Sequence, residues 1–89
     1  MPVNPREALE ILERKLREKG YETRRLREEG ECVLEVISGG KKVNICLHEE
    51  RGVLKELRLR YEGVPGMTIL RCELAEKYVS CIEELLARL

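Results

Sequence analysis

The sequence predicts an α+β domain with the element order α-β-β-β-β-α, a four-stranded antiparallel meander with both helices packed on one face. Three observations carry this prediction. Residues 31–48 hold two runs of alternating pattern around Gly39-Gly40, Val53 to Glu62 alternates again, and apolar residues recur at helical spacing near both ends of the chain. The 89 residues predict a single domain, residues 1–89, with room for one sheet and one helical layer.

The first helix is predicted to begin at Asn4-Pro5 and to run to Lys19, with Gly20 as its C-cap. Asparagine can accept a backbone N–H as N-cap, and proline fits the first helical turn. The apolar residues define one buried stripe: Ala8, Leu9, Ile11, Leu12 and Leu16. The following segment, Tyr21 to Glu28, is interpreted as an edge strand in which a bulge is an open alternative.

A tight hairpin turn at Gly39-Gly40 sets the register of the two central strands, because two glycines supply the positive φ angles that a primed turn requires. On the face that carries the core-type residues, the pairs are then Ser38–Lys41, Val36–Val43, Leu34–Ile45 and Cys32–Leu47. The opposite face pairs Ile37–Lys42, Glu35–Asn44 and Val33–Cys46, and leaves His48 near Glu31.

The last helix is predicted over Met67 to Leu89. Its apolar residues form two adjacent seams, one with Leu70, Leu74, Tyr78, Cys81 and Leu85, the other with Ala75, Val79, Ile82, Leu86 and Leu89. One small sheet would struggle to cover both, so part of this helix is expected to pack against another copy of the chain, giving a dimer or tetramer. The alternative is that both seams belong to the monomer core.

The four cysteines are expected to be reduced and mostly buried. In the predicted register Cys32 and Cys46 lie on opposite faces of the sheet, and Cys72 and Cys81 point in opposite directions from one helix. Disulfides are the alternative, since proteins of hyperthermophiles can keep them inside the cell. With no C-x-x-C and one His, neither a metal site nor any other cofactor is expected.

Composition excludes several classes of function. There is no Asp, and a nucleophile made from Cys46 and His48 would lack a third, orienting group, so no catalytic residues are assigned and an enzyme is not expected. No apolar run approaches the roughly 20 residues that span a bilayer, and the N-terminus is unlike a signal peptide, so we expect a cytoplasmic protein with no membrane partner. Abundant Glu and Arg with few amides resemble hyperthermophile composition.

The chain has 17 Lys and Arg residues and 17 acidic residues, so its net charge is zero. The positions of these charges along the strands nevertheless predict a basic sheet face. Side chains two residues apart on a strand are about 6.5 to 7 Å apart, a spacing that can follow the phosphates of an extended single strand. The predicted phosphate contacts are Arg25, Arg27, Lys42, Arg58 and Arg60; the residues predicted beside bases or sugars are Tyr21, Asn44 and His48. The partner would be single-stranded DNA, with RNA as the alternative.

Two features temper the nucleic-acid hypothesis. Phe and Trp are absent, so bases would rest on aliphatic side chains such as Val33, Ile37 and Leu54 and not on an aromatic platform. The same strand face could also be an ordinary solvated surface with cross-strand Glu–Arg pairs. A protein-interaction or assembly module with no nucleic-acid role is therefore the alternative function.

The element order, the hyperthermophile composition, the Arg-bearing strands and the short apolar C-terminal helix resemble a known family. They are similar to the archaeal single-stranded-DNA-binding proteins called ThermoDBP, found in Thermoproteales, and particularly to their short relatives that lack the C-terminal zipper. The resemblance implies sequence-independent binding of single strands by a homo-oligomer whose subunits join through sheet and helix surfaces. This chain departs from the family in having no Phe, no Trp and no net charge.

Overall fold

The computed structural model describes residues 4–26, 32–73 and 75–89. The chain has an α+β fold whose five strands form one antiparallel sheet in sequential order. The elements are α1 Pro5–Glu18, β1 Glu22–Arg25, β2 Cys32–Ser38, β3 Lys41–Glu50, β4 Val53–Tyr61, β5 Thr68–Arg71 and α2 Ala75–Ala87. The α+β class and the antiparallel meander are confirmed, whereas the predicted count of four strands is wrong.

Helix α1 forms as its sequence predicts. The Asn4 side chain accepts a hydrogen bond of 2.8 Å from the Arg6 N–H, which satisfies one of the free amides of the first turn. Ala8, Leu12 and Leu16 are fully buried against the sheet. After the helix ends at Glu18, the chain turns into β1, which is the edge strand predicted within Tyr21 to Glu28; residues 27 and 28 lie outside the described residues.

The hairpin register is confirmed from its turn back to Leu34, which faces Ile45. Beyond that pair the register shifts, so Cys32 faces Cys46, and the predicted pairs Cys32–Leu47 and Val33–Cys46 are wrong. The extra residue of a bulge accounts for the change, because it moves every later side chain to the other face.

The predicted helix Met67 to Leu89 is wrong in its first part. Residues Thr68–Arg71 form β5, which pairs with β4 between Leu59 and Glu56. The β-branched pair Thr68-Ile69 favours a strand, and a strand here supplies backbone partners to the outer edge of β4. The strand also places Leu70 opposite Leu57 of β4, and both side chains are buried there.

Two disulfides are present, Cys32–Cys46 and Cys72–Cys81, so the expectation of reduced thiols is wrong. The bulge brings Cys32 opposite Cys46 on one face of the sheet. Because β5 replaces the start of the predicted helix, Cys72 lies after the strand and meets Cys81 of α2.

Both helices pack on one face of the sheet and form one hydrophobic core with it. The Tyr78 hydroxyl of α2 donates a hydrogen bond of 2.6 Å to the Ala8 carbonyl of α1. Tyr78, Ile82 and Leu85 are buried in this core, while Val79 is 52% exposed. Most of the apolar face of α2 is therefore covered within the chain itself.

Candidate nucleic-acid interface

The side of the sheet opposite both helices is called the open face here. Strand alternation and the observed register place these residues on it: Glu22, Arg24, Cys32, Glu35, Ile37, Lys42, Asn44, Cys46, His48, Glu56, Arg58, Arg60, Ile69 and Arg71. Lys42, Arg60 and Arg71 are exposed on it. The predicted contacts Lys42, Asn44, His48, Arg58 and Arg60 are thus brought to one surface.

A shallow depression of about 300 Å³ lies at one end of the open face. It is lined by Glu35, Lys42, Asn44, Arg60, Tyr61 and Glu62. Asn44 stands between Glu35 and Arg60 on neighbouring strands. Within the described residues, Lys42 and Arg60 take part in no ion pair. Two unneutralised cations beside an amide can bind an anionic oxygen such as that of a phosphate.

Two other cations of the open face, Arg24 and Arg58, are ion-paired. The Arg58 guanidinium donates two hydrogen bonds, of 3.0 and 2.9 Å, to the Glu56 carboxylate, and Arg24 lies 3.2 Å from the Glu35 carboxylate. These pairs are the cross-strand and same-strand Glu–Arg contacts of an ordinary solvated sheet. The continuous row of arginines that the sequence predicts is therefore interrupted by carboxylates, and among the described residues the open-face cations outside any ion pair are Lys42, Arg60 and Arg71.

Arg25 does not lie on the open face, contrary to the prediction. Its partner in the sheet is Leu34, so it points to the helix side, where it donates bonds of 3.0 Å to each oxygen of the Glu13 carboxylate. These hydrogen bonds from Arg25, together with the charges of Arg25 and Arg17, hold the pKa of Glu13 below its usual value despite burial. Arg25 therefore fastens β1 to α1. Arg27 lies outside the described residues.

Tyr21 also lies away from the open face. Its N–H donates to the Leu16 carbonyl at 3.0 Å just after α1, and its ring lines a groove between the two helices. The predicted base contact is therefore on the wrong side of the sheet, because the chain leaves α1 on the helix side and Tyr21 precedes β1. His48 is on the open face, half-buried, with Nε2 3.5 Å from a Glu50 carboxylate oxygen.

Of the three aliphatic residues predicted to hold bases, two lie on the helix side of the sheet and one lies on the open face. Val33 and Leu54 pack with the core, since both lie beside register shifts, and only Ile37 stays on the open face. Strand β5 adds Ile69 and Arg71, which sequence reasoning missed by assigning a helix there. The β-branched pair after the Pro65-Gly66 turn was the available signal for a strand.

The described part of the chain holds no group of three or more His, Cys, Asp or Glu able to bind an ion. No helix among the described residues is long and apolar enough to cross a membrane. Comparisons with protein-family models, with curated proteins and with solved structures found no match to this chain.

Proposed function

We propose that this protein binds single-stranded nucleic acid, DNA in the first place, through the open face and without sequence preference. The observation that carries the proposal is the depression in which Lys42 and Arg60, exposed and in no ion pair with a described residue, flank Asn44. Arg71 adds an exposed cation toward the other end of the open face, beside the Glu56–Arg58 ion pair. We also propose kinship with the short ThermoDBP-related proteins, which rests on composition and on the arginine-bearing strands, since the fifth strand departs from the predicted element order.

Phosphate contact would dominate this mode of binding. The open face has no Phe or Trp to stack on a base, so bases would lie against Ile37 and Ile69. Contacts to the sugar–phosphate backbone carry no sequence information, and the affinity they supply depends strongly on salt. If Lys42, Arg60 and Arg71 each neutralise one phosphate, the log–log plot of affinity against salt should have a slope of about −2, since each contributes about 0.7 on a single strand.

The test is a fluorescence-anisotropy titration of labelled oligo-dT at several salt concentrations. Lys42→Glu should weaken binding by about tenfold or more, because it reverses a charge beside a bound phosphate. Lys41→Glu is the matched control: Lys41 is the exposed neighbour of Lys42 on β3, its side chain has the opposite parity, and the change in net charge is identical. No measurable affinity at low salt, or equal effects of the two substitutions, would refute the proposal.

The alternative function, an assembly module without a nucleic-acid role, is favoured by a separate observation. Val64, Met67 and Ile69, which are 59%, 42% and 49% exposed, all lie in or next to β5. Oligomers that persist in a protein with no affinity for oligo-dT would support this alternative.

A further inference from the structure

Strand β5 is an edge strand whose outer backbone groups have no partner among residues 4–26, 32–73 and 75–89. The Cys72 N–H donates to the Lys55 carbonyl at 2.9 Å, so these two residues form a hydrogen-bonded pair of the β4–β5 ladder. Such pairs alternate along antiparallel strands, so Leu70 and Thr68 also turn their backbone groups toward β4. The N–H and C=O groups of Ile69 and the N–H of Arg71 consequently point outward, and among the described residues no backbone group bonds to them.

The residues along the β5 edge lack charge, as residues at the centre of protein interfaces commonly do. Residues 63–70 are eight uncharged residues in succession, in a chain of which 38% is charged. The opposite edge strand, β1, carries Glu22, Arg24 and Arg25, and charges of this kind discourage pairing with another strand. The β1 edge of the sheet thus carries charges that oppose strand pairing, whereas the β5 edge is uncharged from residue 63 to residue 70.

We propose that β5 pairs with β5 of a second copy, antiparallel and about a twofold axis at Ile69, to form a continuous ten-stranded sheet. On this axis Ile69 faces Ile69 of the second copy, and Met67 faces Arg71 in both directions. The outward N–H and C=O groups of each Ile69 then bond to those of the other. An antiparallel edge of this kind is self-complementary, as a twofold interface requires.

A second copy fits this edge better than an unrelated strand for two reasons. The uncharged stretch lets two identical edges approach without repulsion, and the pairing covers Ile69 and Met67 of both copies together. The assembly also continues the open face from one subunit into the next, with Arg71 near the junction. The inference concerns assembly alone, so a failure to bind oligo-dT leaves it standing.

A second exposed apolar site in the described part of the chain is the groove of about 590 Å³ between α1 and α2, where Tyr21, Val79 and Leu86 lie. It is the rival dimer interface and provides a matched control. Val79 and Ile69 are both β-branched and are 52% and 49% exposed, so Lys at either position should cost little folding stability.

Sedimentation of the purified chain across a range of concentrations tests the proposal, with circular dichroism to verify folding. We expect a wild-type dimer, an Ile69→Lys dimer whose dissociation constant is higher by about tenfold or more because two lysines face each other, and a Val79→Lys dimer close to wild type. A wild-type monomer at every concentration would overturn the proposal. So would a dimer that Val79→Lys disrupts and Ile69→Lys does not.

Amide hydrogen exchange of the wild-type chain gives a second measurement that needs no substitution. The Leu70 N–H, bonded to β4, should be protected at every concentration, whereas the Ile69 N–H should become protected only as the dimer forms. An Ile69 amide that exchanges equally fast in monomer and dimer would contradict pairing at this edge.

Discussion

The Cys72–Cys81 disulfide should supply a large part of the stability of this small domain. It joins the end of β5 to α2 across a sequence separation of 9. Closing a loop of that length in the unfolded chain corresponds to about 2.6 kcal/mol at 25 °C in the chain-entropy treatment. For a domain of this size, that free energy corresponds to a fall in Tm of about 10 to 20 °C when the bond is lost.

Two perturbations distinguish the effect of losing the disulfide bond from the effect of losing the cysteine side chains. Reduction of the wild-type protein breaks both disulfides and leaves the sulfur atoms in place, whereas Cys72→Ala/Cys81→Ala removes one bond and two buried sulfurs. The matched double variant, Cys32→Ala/Cys46→Ala, opens a loop with a separation of 14, for which the same treatment gives about 3.0 kcal/mol.

The assays are calorimetry, denaturant unfolding and the intact mass with and without reduction. Both double variants should unfold at a markedly lower temperature than the oxidised wild type, and the reduced wild type lower still. Four free thiols in the unfolded, unreduced protein would refute the pairing. A Tm unchanged by reduction would refute the energetic reasoning.

Two further predictions concern buried polar groups that join the helices to each other and to the sheet. The pKa of Glu13 is lowered in the folded protein, so its stabilising contribution is complete above the ordinary glutamate pKa and is lost as the pH falls through the folded value. Glu13→Gln should therefore unfold at lower denaturant concentration at neutral pH and show a flatter acid limb in pH-dependent denaturation, with the two profiles converging in acid. Tyr78→Phe deletes the hydrogen bond to the Ala8 carbonyl and should lower the free energy of unfolding by about 1 kcal/mol. Burial raises the pKa of Tyr78, so spectroscopic titration of the folded wild type should contain a component that ionises above the usual range of tyrosine, and Tyr78→Phe should remove that component.

Prediction from sequence succeeded where the signal was local. Asn4-Pro5 caps α1, and the two glycines at 39 and 40 set a register that holds as far as Leu34. It failed at Cys32, because a bulge leaves no mark in the alternation of apolar and polar residues. It also failed at Thr68–Arg71, where the apolar spacing fits a helix and a strand equally well and the unpaired edge of β4 favours the strand.

The candidate site was predicted in part for the same reason. Lys42, Asn44, Arg58 and Arg60 lie on strands whose parity the hairpin and the alternation of β4 establish, and they reach the open face. Arg25 and Tyr21 lie in a segment with too few apolar residues to show which of its side chains face the core. Their place on the helix side follows from contacts with α1 that are distant in sequence.

Short-range chemistry therefore accounts for the elements and for the alternation of side chains along them, since caps, turns and strand periodicity act over a few residues. Long-range packing accounts for the rest: which carboxylates neutralise which arginines, which cysteines meet, and which strands form the two edges of the sheet. These outcomes depend on segments far apart in the chain competing for the same surfaces, and no local pattern contains that information.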